Sequence, residues 1–171
     1  MNIIKSYIYI VILVLFLLSI AIFIEYLRNI KSKFSLIFHK YTKNLMRKNE
    51  VEGNITGATW YLLSVFIVVS IFPKKIAILA IIFLAVGDTV AAIAGKSLPY
   101  IKYKNKSVFG SFIAFMSILF ITHLFGYKIF DPLVLFGALS AVIIELMPIR
   151  VNDNFSIPVF SSIIMFMISR I

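Results

Sequence analysis

The chain is predicted to be an all-helical, polytopic membrane protein: about six transmembrane helices forming one bundle, with residues 1–171 as a single membrane-embedded catalytic domain. Three observations carry this. Apolar residues make up 61% of the sequence and charged residues only 14%, whereas soluble domains are about half apolar. Mean hydropathy is +1.03. The apolar residues are also gathered into stretches of roughly the length that crosses a bilayer, about 20 residues with a range of 17–25. Cysteine is absent, which excludes disulfides and thiolate zinc sites.

The expected spans, in order, are Tyr7–Ile24, Ile55–Phe72, Ile76–Ala94, Val108–Gly126, Pro132–Met147 and Phe155–Ile168. The first could be taken for a signal peptide, with Lys5 as its basic start. It is too long for that and no A-x-A site follows, so it is read as a retained span. The last two are the shortest. No internal repeat appears, and the interrupted helices in matching halves that would mark a transporter are not seen. The stretch Ile30–Asn49 is mixed in periodicity, compatible with an interfacial amphipathic helix or an ordered loop.

Charge distribution sets the orientation. The loops after spans one, three and five carry Arg28, Lys31, Lys33, Lys40, Lys43, Arg47, Lys48, Lys96, Lys102, Lys104, Lys106 and Arg150. Only Lys5, Lys74, Lys75, Lys128 and Arg170 fall on the other side. The positive-inside rule makes the richer side cytoplasmic and puts both termini outside. The formal charge of +10 is therefore read as facing anionic lipid or a phosphorylated substrate, not nucleic acid.

In that frame the polar residues of the apolar segments share one face. Asp88 lies seven residues before Gly95, so about 10 Å below the cytoplasmic surface at 1.5 Å per residue. Glu145 ends span five, Lys106 and Ser107 open span four, and Asp153 and Asn154 open span six. A charge inside a bilayer segment costs a few kcal/mol and is usually functional. Gly87, Ala91 and Gly95 form a small-residue stripe beside Asp88. Gly137, Ala141 and Glu145 form a second, and Ser107, Ser111 and Ala114 a third. Such stripes let membrane helices approach closely and turn neighbouring polar groups into the bundle. Plain helix packing, with Asp88 and Glu145 as buried hydrogen-bonders, is the structural alternative. Two acids beside lysines also suit a magnesium–nucleotide site, because Mg2+ takes carboxylates plus substrate phosphates and lysine offers phosphate a point charge. Lys102 and Lys104 read simply as a solvated loop.

Other apparent motifs carry nothing. Gly95-Lys96-Ser97 resembles the end of a phosphate-binding loop, but position 90 is Val90 where that motif needs glycine, and no strand precedes it. His39 and His123 lack metal-ligand spacing. Trp60 and the tyrosines read as packing or interface residues.

The ordered blocks Gly87-Asp88-Thr89-x-Ala91-Ala92-x-x-Gly95-Lys96, Lys106-Ser107-x-x-Gly110-Ser111, Glu145 and Asp153-Asn154-x-x-Ile157-Pro158 resemble the CTP-dependent lipid kinases. That family includes dolichol kinase, phytol kinase and the CTP-type diacylglycerol kinase. Upstream, Glu25-x-x-Arg28, Arg47-x-x-Glu50 and Thr56-Gly57-Ala58-Thr59 look like the same core pattern. The resemblance runs from about Glu25 to Pro158, and the chain looks like a minimal catalytic core without extra N-terminal spans. It implies phosphoryl transfer from CTP to the hydroxyl of a membrane lipid alcohol, with a divalent cation such as Mg2+, at the cytoplasmic face. By the same resemblance Asp88, Lys106 and Asp153 would be catalytic, with Asp88 and Asp153 at the metal. Ser107, Gly110, Ser111, Glu145, Asn154, Arg47 and Glu50 would line the nucleotide site. Asp88 is the first choice for the base that takes the alcohol proton. A phosphatidate cytidylyltransferase-like transferase is the nearest rival; Lys106-Ser107-x-x-Gly110 vaguely resembles its segment, but its glycine-rich and Leu-Asp-Arg-x-Asp signatures are missing. A non-enzymatic small transporter or scaffold is the third reading. Nothing in the pattern specifies the lipid or an oligomeric state.

Overall fold

The computed structural model describes residues 2–30, 38, 41–42, 46, 48–51, 53–97, 102–103, 106–149 and 151–171. Most of Ile30–Asn49, with Arg47 and His39, lies outside the described residues, as do Glu52, Lys104 and Arg150. Among the described residues the chain is helical: α1 (Asn2–Asn29), α2 (Lys48–Val51), α3 (Gly57–Ile71), α4 (Lys74–Ser97), α5 (Val108–Leu124), α6 (Pro132–Leu146) and α7 (Asp153–Ile168). The exception is a two-residue antiparallel pair, β1 (Lys102–Tyr103) with β2 (Lys106–Ser107). The all-helical expectation did not foresee this pair in the loop before α5. Among the described residues, two helical stretches are long and apolar enough to cross a membrane, Tyr7–Asn29 and Lys74–Lys96. The apolar helices Gly57–Ile71, Val108–Leu124, Pro132–Leu146 and Asp153–Ile168 are shorter.

The chain divides into two compact units, Met1–Phe66 and Ile67–Ile171. In the first, α1 is apolar on every side. It leaves Tyr9, Phe16 and Phe23 exposed, each at 60% or more, and a helix with no polar face suits a lipid surrounding. Its last turn changes character at Glu25 and Arg28, which tie it to the start of α3.

In the second unit α4 is the central helix, packing on α5, α6 and α7. Phe83 and Leu79 of α4, Ile118 of α5, Val134 and Ala138 of α6, and Met165 of α7 are fully enclosed. The small-residue stripes face these contacts. A methyl added at Gly110 would stand 2.9 Å from the Ala91 carbonyl oxygen and 3.0 Å from the Gly95 nitrogen, so α5 lies directly on the α4 backbone. Gly87 faces Ile118, and Gly137 faces Met165 and Phe83. In lipid, where no hydrophobic drive brings helices together, close packing of this kind is what associates them.

α5, α6 and α7 each begin on a side-chain cap, which satisfies N–H groups that have no intrahelical acceptor. Ser107 Oγ accepts from Gly110 N at 3.1 Å, Asp131 Oδ1 from Leu133 N at 3.0 Å, and Asn152 Oδ1 from Asn154 N at 3.0 Å. Pro132 occupies the first turn of α6, where its missing N–H costs nothing. Pro158 lies inside α7 and cannot donate to the Asn154 carbonyl one turn back.

Asp131 also binds Lys75, Nζ to Oδ2 at 2.8 Å, joining the N-terminal ends of α4 and α6. Partial burial pushes the Asp131 carboxyl up. The Lys75 hydrogen bond, the Leu133 N–H and the charges of Lys75 and Lys128 outweigh it and hold the group below its ordinary value.

Two outcomes are expected. Gly110→Ala forces a methyl against backbone that cannot rotate away, so thermal unfolding in detergent should show a loss of about 1–3 kcal/mol, the usual scale of overpacking. Lowering the pH should also cost a little stability through Asp131. Its folded-state pKa is depressed, so its contribution is complete above the unfolded value of about 3.9 and disappears as pH falls through the folded value. Asp131→Asn should flatten that acid limb, by less than about 1 kcal/mol because the pair is exposed.

Candidate functional site

Four elements of the second unit bring polar side chains to one point. β2 supplies Lys106, α5 supplies Ser111, α6 ends at Glu145 and α7 starts at Asp153. The Lys106 ammonium donates to Asp153 Oδ2 at 2.9 Å and lies 3.5 Å from Glu145 Oε1. It also donates to the backbone carbonyl of Glu145, near the negative end of the α6 dipole where a cation is favoured. The other Glu145 oxygen, Oε2, accepts from Ser111 Oγ at 3.0 Å. Asp153 lies in the first turn of α7, where the helix dipole favours negative charge.

The cause is local in each case. Gly110 lets α5 press against α4, and the Ser107 cap fixes the first turn of α5. That turn carries buried Ser111 to the end of α6. The side chains of Lys106, Glu145 and Asp153 keep 30%, 13% and 24% of their exposure. The cluster is partly enclosed, with one ammonium facing two carboxylates and a formal excess of one negative charge.

Of the residues expected at the site, Lys106, Ser111, Glu145 and Asp153 are joined by these bonds. Ser107 and Gly110 form the adjoining cap. Asn154 follows Asp153 and gives its N–H to the Asn152 cap. Asp88 is half-buried on α4, next to Gly87 and one turn before buried Ala91. Against the apolar side of Glu145 lies a cavity of about 10 Å³, lined among others by Phe83, Gly87, Ala114 and Ile157.

Among the described residues no group of three or more His, Cys, Asp or Glu forms a ready metal cage. Glu145 and Asp153 nonetheless fit a hard divalent cation. Their oxygens already converge on one positive centre, the Lys106 ammonium, and Mg2+ commonly takes only one or two carboxylates together with substrate phosphates.

A second network lies in the first unit; sequence reasoning gave Glu25, Arg28, Thr56 and Thr59 no role beyond a pattern match and expected Glu50 at the nucleotide site. Glu25 Oε1 accepts from Thr56 N at 2.7 Å, Thr56 Oγ1 at 2.6 Å and Thr59 Oγ1 at 3.0 Å. Its Oε2 pairs with Arg28 at 2.7 Å. Arg28 is only 2% exposed and donates to the Asn54 carbonyl. Glu50 Oε1 accepts from Gly57 N at 2.8 Å, placing a second carboxylate at the start of α3. The signal available beforehand was the i,i+3 spacing of Glu25 and Arg28 after an apolar run.

Because Arg28 is buried, Glu25→Ala should cost about 3–5 kcal/mol, the usual result of removing one partner from a buried pair. Replacing both partners with Met should cost clearly less. Thermal unfolding of the single and double variants compares the two.

No known protein-family model matches the chain, and no solved structure matches it. Curated proteins do. An uncharacterized protein of Rickettsia prowazekii is 28% identical over 85% of this chain and 76% of its own length. The CTP-dependent diacylglycerol kinase 1 of Schizosaccharomyces pombe is 29% identical over 79% of this chain and 70% of its own length. The protein of that name from Saccharomyces cerevisiae is 26% identical over 77% of this chain, which spans 54% of the yeast protein. By sequence, the chain is similar to proteins named CTP-dependent diacylglycerol kinase 1.

Proposed function

We propose that the chain transfers the γ-phosphoryl group of CTP to the hydroxyl of a membrane lipid alcohol. The observation that carries this is the cluster of Lys106, Ser111, Glu145 and Asp153, which falls on the motif blocks that resemble the CTP-dependent lipid kinases. The relatives' names support CTP as donor and make diacylglycerol the first substrate to test, with dolichol and phytol beside it.

In this reading the alcohol oxygen forms a bond to the γ-phosphorus while the bond from that phosphorus to the β,γ-bridging oxygen breaks. CDP leaves, and the alcohol proton passes to a carboxylate, for which Asp88 is proposed. Such transfers need chiefly positioning and charge neutralisation. Lys106 would meet the phosphates as a point charge. Ser107, Gly110, Ser111 and Asn154 are proposed to complete the nucleotide site. Asp153 and Glu145 would hold Mg2+, with Asp88 as a further proposed ligand. When bound, the cation would neutralise charge developing on the transferred phosphate.

The chain is proposed to work as one six-span domain, with its termini outside and this chemistry at the cytoplasmic face. The loop charges support that orientation. CTP would then arrive from the cytosol and the lipid hydroxyl from the bilayer.

The test supplies purified chain with γ-labelled CTP, Mg2+ and vesicles containing diacylglycerol, dolichol or phytol. Label on the lipid is expected. Pyrophosphate release with a CDP-lipid product would instead identify a cytidylyltransferase, and no turnover with any lipid would leave the non-enzymatic reading. Asp88→Asn should lower the rate by at least about a hundredfold, the scale of a lost general base, while leaving the unfolding temperature near wild type. Wild-type turnover in that variant would make Asp88 structural.

A further inference from the structure

We infer that Lys106 is a resident counter-cation that excludes the divalent ion from Glu145 and Asp153 until phosphates draw the ammonium away. The inference rests on the CTP-kinase reading above for the identity of those phosphates, but not for the geometry.

An ammonium has three N–H donors. Lys106 faces three oxygens: Asp153 Oδ2 at 2.9 Å, Glu145 Oε1 at 3.5 Å and the Glu145 carbonyl. Two carboxylates that close together in a partly enclosed place need a positive charge between them. The lysine supplies it without any ligand. A hard divalent cation would seek the same oxygens, and it cannot share them with an ammonium at contact distance without strong repulsion. Lysine and metal are therefore alternative occupants.

The surroundings are built for an exchange. Lys106 stands on a two-residue strand and keeps 30% side-chain exposure, and its flexible four-carbon stem can redirect the charge by bond rotation alone. Glu145 stays in place without the lysine, because Ser111 Oγ holds its other oxygen at 3.0 Å. Asp153 is fixed by its position in the first turn of α7. A polyphosphate arriving at Lys106 would take up the ammonium, and a cation could then enter between the two carboxylates. Glu145 and Asp153 thus face a cation both before and after the exchange. Metal affinity in the absence of nucleotide is thereby kept low.

The test uses the full chain in detergent and Mn2+ alone, with free Mn2+ followed by its electron paramagnetic resonance signal. Wild type should bind weakly. Lys106→Met keeps the stem and removes the charge, and should bind roughly tenfold more tightly or better, since one like charge is gone from the site. Lys106→Arg should stay as weak as wild type, and Asp153→Asn added to Lys106→Met should abolish the gain. Equal Mn2+ affinity in wild type and Lys106→Met would overturn the inference. A measurement on wild type needs no variant to fold: if the two cations compete, millimolar Mn2+ should raise the reactivity of the Lys106 amine toward an acylating reagent, read by mass spectrometry. Bound Mn2+ with no change at Lys106 would equally overturn it. Neither readout depends on turnover, so a failed lipid-labelling assay would remove the kinase reading and leave this competition standing.

Discussion

The close approach of α5 to α4 is the constraint on which the second unit rests. Gly110 lies against the Ala91 carbonyl and the Gly95 backbone with no room for a methyl group. Because the helices touch through backbone there, the first turn of α5 is held where Ser111 reaches the end of α6. The same approach fixes where β2 runs, and so where Lys106 stands. A cluster joining residues 39 and 47 positions apart thus depends on a glycine that has no side chain to add to it.

Polar groups in an apolar chain are tolerated where each has an answering partner. Both clusters follow that rule differently. In the first unit a buried arginine is matched by Glu25, whose remaining capacity is filled by Thr56 and Thr59. That arrangement is buried at Arg28 and joins one helix to the start of another. In the second unit one ammonium serves two carboxylates, leaving a negative excess and substantial exposure. The first has the character of a fastening, the second that of a place where charge can be exchanged.

Much of this was legible in the sequence. Apolar runs located α1, α3, α4, α5, α6 and α7 to within a few residues at most ends, because a segment without charges has few alternatives to a helix in lipid. Spacing by four picked out the stripes of Gly87, Ala91 and Gly95 and of Gly137 and Ala141, which do face neighbouring helices. Lys106, Ser111, Glu145 and Asp153 were each singled out, but their pairing was not. Asp88 and Asp153 were the expected metal pair, whereas the bonds observed join Asp153 to Glu145 through Lys106. Such pairing depends on where helices cross, and no local pattern encodes that. The β1–β2 pair and the work done by Glu25 escaped for the same reason.

The two ends of α6 are held by ion pairs of different kinds. At its start, the Lys75 and Asp131 side chains keep 45% and 23% of their exposure; at its finish, Lys106 and Glu145 keep 30% and 13%. Dissolved ions screen exposed charges beyond about 8 Å at physiological ionic strength, and enclosed ones much less. An order of fraying is therefore built into this helix: rising salt loosens its Asp131 end first, and the end that joins the Lys106 cluster is the last to let go.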